Sequence, residues 1–182
     1  MDMQERIDRY WSKRAGEFSD ARMADLKSES RGRWLEIIAE HLPKKEAIRA
    51  LDLGTGAGFY AFLLRDLGCE VVGIDYSEAM IREARTNAEA LGYNIDFRQM
   101  DAQDLKIPGK SIDFIISRNV TWTLPDPEKA YSEMFRVLAP GGILLNFDAN
   151  YGQAFRGMRQ ASPNSSGNPP ADPTNTPPRA WQ

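Results

Sequence analysis

The chain is poor in the residues that staple or metallate small proteins. It has one cysteine, Cys69, and one histidine, His41, in 182 residues. A single cysteine excludes an internal disulfide framework and a cysteine-rich metal site. A single histidine excludes a multi-histidine zinc site. Basic excess is absent as well: 23 Lys and Arg stand against 26 Asp and Glu, a net charge of −3. That balance leaves no electrostatic footprint for nucleic acid. No apolar run reaches the ~18–20 residues needed to cross a bilayer. The opening "MDMQERIDRY" is charged where a secretory leader has its apolar core. Together these absences predict a soluble, cytoplasmic protein with no metal, nucleic-acid or membrane partner.

One stretch lacks the makings of a core. Between Tyr151 and Gln182 there is no Val, Ile or Leu, and six of the eleven prolines fall there. Such a composition cannot bury enough apolar surface to offset the entropy of ordering, so 151–182 is expected to be a disordered or loosely attached tail.

The rest of the chain is patterned. Ile7, Tyr10, Trp11, Ala15 and Phe18 recur at helical spacing, as do Trp34, Leu35, Ile38 and Leu42, with Pro43 as a stop. These helices predict an N-terminal cap over 1–45, in which Tyr10 and Trp11 either pack the helix on the body or form a lid. Over 46–150, apolar strands alternate with helices. "AIRALDL", "EVVGID", "NIDFRQM", "SIDFIIS" and "ILLNFD" read as five strands, the last entered through a "PGG" turn. Between them lie "FYAFLLRDLG", "SEAMIREARTNAEALG" with Ser77 as N-cap, and "DPEKAYSEMFRVL" with Asp126 as N-cap. In the second of these helices Met80, Ala84, Ala88 and Leu91 share a face. Strands that are apolar almost throughout and separated by helices predict an α/β fold, a Rossmann-like doubly wound sheet of five parallel strands. Ligands in such sheets bind at the carboxyl ends of the strands.

The chemistry gathers at those ends. "LDLGTGAGFY" runs from the first strand into Gly54, Gly56 and Gly58, with Asp52 just before. Glycines allow positive φ and close approach of a ligand, and the following helix aims its N–H groups at that ligand. The dinucleotide pattern G-x-G-x-x-G requires glycine where Phe59 stands. An acid before the turn suits a cationic amine better than a diphosphate. Asp75 ends the second strand, where a carboxylate can accept from ribose hydroxyls or cap the next helix. Tyr76 offers a flat face to a purine. Asp101, after the third strand, is either a solvated loop acid or an acceptor from an adenine amino group. Arg118, Asn119 and Trp122 leave the fourth strand, Trp122 either in the core or over the cleft.

Taken in order, "LDLGTGAGFY", "VVGIDYS", "MDAQDL" and "SIDFIISRNVTWTLPDPEKAYSEMFRVLAPGGIL" resemble the class I S-adenosylmethionine-dependent methyltransferases, in particular the branch acting on small molecules. The likeness covers roughly Glu46 to Asp148, and the leading "YWSKRAGEF" resembles the cap helix of that branch. The resemblance implies S-adenosylmethionine as cofactor and direct in-line methyl transfer to a small molecule. It places Gly54, Thr55 and Gly56 under the methionine moiety and Asp52 near its ammonium. It places Asp75 on the ribose and Tyr76 and Ala102 around the adenine, with Asp101 near the amino group; Met80 is a further cofactor-binding residue. Arg118 and Asn119 would line the sulfonium side, and Tyr10 and Arg14 would lie in the lid. Trp11 and Trp122 are candidates for the acceptor side. No side chain stands out as a general base. "RNVTW" departs from the Asn/Asp-Pro-Pro-aromatic motif of nucleobase amino-methylating enzymes.

The chain also departs from the family it resembles. After the fifth strand nothing reads as the last two strands of the family sheet. Two expectations follow. Either the chain is a C-terminally shortened methyltransferase, or it is a five-strand variant whose exposed fifth strand is covered by the tail or by a second copy. The shortening raises a second function, a non-catalytic cofactor-binding remnant. A dinucleotide oxidoreductase is a third, opposed by Phe59.

Overall fold

The computed structural model describes residues 3–148. The tail expected over 151–182 lies outside the described residues. The elements run α1 (Met3–Asp25), α2 (Glu29–His41), β1 (Arg49–Leu53), α3 (Phe59–Asp66), β2 (Glu70–Asp75), α4 (Glu78–Leu91), β3 (Asp96–Gln99), β4 (Ile112–Arg118), α5 (Pro127–Val137) and β5 (Leu138–Phe147). All strand pairs are parallel, in the order β3-β2-β1-β4-β5. The chain thus steps outward from β1 to β3, then returns to β1's other side for β4 and β5. That reversal puts the topological switch between β1 and β4, where Leu51 pairs with Val72 on one side and with Ile115 on the other.

Alternation along the central strands divides the core into two layers. Ala50, Phe114 and Ile116 face a layer built with Trp34 and Ile38 of α2, Phe62 of α3, and Ile81 and Ala84 of α4. Leu51, Leu53 and Ile115 face the other, with Ala130, Met134 and Val137 of α5. Helices therefore cover both faces, as the continuous apolar strands predict. In the cap, α1 docks on α4, where the Ser12 and Ser77 hydroxyls share a hydrogen bond at 3.0 Å and Asn87 Nδ2 donates to Ser19 Oγ at 2.9 Å. Next to it α2 docks on α3, with the Trp34 and Tyr60 rings edge-on at 5.1 Å.

Local expectations hold in part. Asp126 caps α5 by accepting from Lys129 N at 3.0 Å. Ser77 occupies the N-cap position of α4 but makes no side-chain cap; its own N–H donates to Asp75 Oδ1 at 2.9 Å. Leu91, expected on the buried face of α4, is 46% exposed at the last residue before Gly92 turns the chain. The "PGG" stretch does not precede β5 but interrupts it. Leu138 already pairs with Ile112, and the register then jumps to Phe114 with Ile143, so the glycines form a bulge. Among the described residues no strand pairs with the outer edge of β5.

Candidate functional site

The site starts from the turn after β1. Gly54 N and Thr55 N both donate to Ile74 O of β2 at 2.8 Å, and Gly58 N donates to Thr55 O at 2.9 Å. Strand parity turns Asp52 to the same side as Ala50, beneath α3. Its carboxylate is 1% exposed and accepts from Thr55 Oγ1 at 2.6 Å and Ala61 N at 2.9 Å. Asp52 therefore braces the turn from below and is not among the residues that line the crevice above it, the side on which the resemblance sets the ammonium. Burial pushes its pKa up to about 7, against the hydrogen bonds from Thr55 and Ala61, and the Asp75 charge adds to the rise.

This carboxyl has a consequence for stability. The folded-state value lies above the ordinary carboxylate value of 3.8. Between those values the folded chain holds a proton that the unfolded chain has released. Stability without ligand is therefore expected to rise as pH falls from 8 to 6, by up to about 1.4 kcal/mol per unit for one proton. Urea unfolding across that range checks this, and Asp52→Asn should reduce the slope, most of all between pH 8 and 7. A wild-type profile that is flat or falls toward pH 6 would refute it.

The crevice, about 170 Å³, opens above the turn at the strand ends. On the β2–β3 side it is lined by Asp75, Tyr76, Met80, Asp101 and Ala102. Asp75 Oδ2 accepts from Gly56 N at 3.0 Å, so two main-chain donors orient the carboxylate while it still faces the crevice. Burial pushes its pKa up to about 6, opposed by the Ser77 and Gly56 bonds, with Asp8 of α1 adding to the rise. Beside it the Tyr76 ring is 37% exposed, while Met80 and Ala102 are buried. Asp101 Oδ1 accepts from Gln103 N at 2.8 Å, and Gln103 Oε1 in turn accepts from Asp126 N at 2.9 Å.

On the β4 side lie Gly54, Thr55 and Gly56 with Arg118, Asn119 and Trp122. Asn119 has φ +58° and donates its N–H to Phe147 O of β5 at 2.8 Å. The Thr121 hydroxyl donates to Asp148 at the end of β5. Trp122, on a short 3-10 turn (Thr121–Thr123), is 44% exposed over the cleft rather than in the core.

The roof is α1, which carries Tyr10 and Arg14. Tyr10 and Arg14 do not line the crevice; Tyr10 is 46% exposed and its hydroxyl accepts from Arg14 Nη1 at 2.7 Å. The inward stripe is Ile7, Asp8, Trp11, Phe18 and Arg22. Apart from Trp11, none of these was singled out as a site residue from sequence, nor was Tyr60 of α3. The signal was the same apolar stripe continued to 22, one turn beyond its last aromatic. Phe18 reaches so close that a Cβ on Gly56 would lie 2.8 Å from its ring.

A family model described as "Methyltransferase domain" matches residues 44–170. The chain belongs to the methyltransferase domain family. It is 39% identical over 117 residues to a demethylmenaquinone methyltransferase of Thermus thermophilus, covering 63% of this chain and 51% of that protein. It is 32% identical over 100 residues to a ubiquinone biosynthesis O-methyltransferase of Rhizobium etli, covering 55% of this chain and 40% of that one. A solved SAM-dependent methyltransferase of Aquifex aeolicus superposes with TM-score 0.60 at 27% identity, covering 82% of this chain and 78% of that one. The chain spans about half the length or less of these two curated relatives.

The methyltransferase domain therefore has the class I fold, with the five parallel strands read from sequence. Among its described residues no helix is long and apolar enough to cross a membrane. The acceptor set suits a nucleoside carrying hydroxyls and an amine. Two acids, Asp75 and Asp101, supply acceptors, one flat ring lies open, and apolar side chains close the walls.

Proposed function

We propose that the chain binds S-adenosylmethionine in this crevice and transfers its methyl group to a small molecule. The observation that carries this reading is Asp75. Its carboxylate stands at the end of β2, held by Gly56 N and Ser77 N, with acceptor capacity left for two vicinal hydroxyls. Tyr76, Met80 and Ala102 offer the apolar surfaces for a purine, and Asp101 an acceptor for its amino group. The glycine turn passes beneath the amino-acid portion. When bound, the cofactor supplies an already activated methyl group, so the chain's task is placement and exclusion of water. Trp11 and Phe18 roof the crevice, and Trp122 borders its β4 side. Such an apolar surround suits a small, largely apolar acceptor, and the relatives named for quinone methylation fit that class. No general base is assigned, since one is needed only where the acceptor must lose a proton.

Calorimetric titration with S-adenosylhomocysteine tests the cofactor reading. One saturable site is expected, and none for NADH. Binding of NADH in its place would overturn the assignment. Methyl transfer from labelled cofactor to a small phenol or quinol panel then separates an enzyme from a binding-only domain.

A further inference from the structure

Trp122 leaves 44% of its surface exposed beside the crevice, and the turn that carries it cannot cap itself. The N-cap position of that turn is Val120, whose side chain has no acceptor and makes no cap. Just before it, Asn119 takes φ +58°, a left-handed conformation uncommon for a residue with a Cβ. Upstream, Arg118 is seated with its guanidinium 5.2 Å from the Trp34 ring centre and 6.0 Å from that of Tyr60, beside the Tyr60 hydroxyl. The turn itself is held from β5. Asn119 N donates to Phe147 O at 2.8 Å. One residue on, Asp148 accepts from the Thr121 hydroxyl, and the main-chain N–H groups of Val120, Trp122 and Asn119 face the same carboxylate. A carboxylate over the open start of a helical turn is the arrangement of an N-cap, supplied here across the sheet. Asn146 braces it from behind, with Nδ2 donating to the Tyr131 hydroxyl at 2.8 Å and lying 3.3 Å from Thr121 Oγ1. Asp148 is not among the residues that line the crevice, whereas Trp122 is.

From the roof, Trp11 and Phe18 meet edge-on at 5.6 Å and line the same space. An open indole with two further rings above it suits a flat ring, which gains burial together with offset or edge-on ring contacts. We propose that Asp148 is a positioning residue for the acceptor: by capping the turn from β5 it fixes the Trp122 indole as a stacking platform for a flat aromatic ring. Asp148 acts through Trp122 and touches neither cofactor nor acceptor. This assignment rests on the crevice being the cofactor site, and it narrows the acceptor from a small apolar molecule to a planar one.

The test titrates the full chain with S-adenosylhomocysteine, and then that complex with 2-naphthol, a flat phenol. Wild type is compared with Asp148→Asn, Trp122→Ala, Trp122→Phe and the Asp148→Asn/Trp122→Ala pair. Each variant should bind S-adenosylhomocysteine within about twofold of wild type, which also shows that it folds. Naphthol should weaken roughly tenfold in Asp148→Asn and in Trp122→Ala, and stay within about threefold in Trp122→Phe, which keeps a ring. The double variant should lose no more than Trp122→Ala alone, because Asp148 works only through the indole; a general structural role would add a loss of its own. Additive losses, unchanged naphthol binding in either Asp148→Asn or Trp122→Ala, or no naphthol binding by the wild-type complex overturns the proposal. Weaker S-adenosylhomocysteine binding by Trp122→Ala also overturns it, since the indole would then serve the cofactor. If folded wild type binds no S-adenosylhomocysteine, the cofactor reading itself falls, and the proposal with it.

Discussion

Replacing Gly54 by alanine is expected to destabilise the chain by about 2–5 kcal/mol and to disorder the loop after β4. Two physical causes add. Gly54 sits at φ +74°, where a Cβ costs about 1–2 kcal/mol. The new methyl would also stand 2.2 Å from Val120 Cγ2, an overlap of the kind that costs about 1–3 kcal/mol in a packed interior. Val120 cannot yield by itself, because its β-branched side chain is stiff and its neighbours are pinned. Asn119 N is bonded to Phe147 O at 2.8 Å, and the Thr121 hydroxyl to Asp148. Any shift is therefore passed to Arg118, Asn119 and Trp122. Urea unfolding of Gly54→Ala and of Gly54→Ala/Val120→Ala, with Val120→Ala as reference, separates the causes: removing the two Val120 γ-methyls should recover the overlap and leave the backbone cost. Gly32→Ala, on α2 with nothing within 4 Å of the added carbon, should be neutral or slightly stabilising. If Gly54→Ala behaves like Gly32→Ala, the turn is not the rigid seat described above.

Local signals were sufficient for the sheet. Apolar runs bounded by glycines and prolines, with helices between them, leave few topologies beyond a parallel sheet wound both ways. Asp126 before Pro127 is a helix start that needs no tertiary help. Side-chain direction was harder. Asp52 alternates with Leu51 and Leu53, so strand parity alone sends it under α3, yet its place before the glycines suggested the ligand side. Tyr10 and Arg14 lie on α1 between inward-facing neighbours, and the stripe is decided by where α4 receives the helix. Arg118 is set by Trp34, far away in sequence, so no local pattern could show its guanidinium beside the Tyr60 hydroxyl. Gly142 and its neighbours looked like a turn because glycines end strands more often than they bulge within one.

Asp75→Asn is expected to weaken S-adenosylhomocysteine by about 10–100-fold at pH 8, the scale of one or two hydrogen bonds to a charged acceptor. The substitution keeps the size of the side chain but removes the charge and half of its acceptors, so Gly56 N, Ser77 N and the ribose hydroxyls compete for one oxygen. Protonation does the same reversibly in the wild type. The carboxyl of the empty chain titrates at about 6, raised mainly by burial. Hydroxyl donors favour the ionised form, so affinity is full above that value. Below it, each unit of pH costs about 1.4 kcal/mol, a tenfold loss, until the pKa of the complex is reached. The Asn variant should be level across the same range. Unfolding runs the other way, because Asp52 and Asp75 both take up protons on folding as pH falls from 8 toward 6. Mild acid should therefore make the empty chain firmer while loosening its hold on the cofactor. Titrations at pH 8, 7, 6 and 5.5 beside melts of the empty chain test the opposition directly. Parallel curves would mean that Asp75 is part of the fold alone, a cap for α4 and an anchor for Gly56, and that the ribose is held elsewhere.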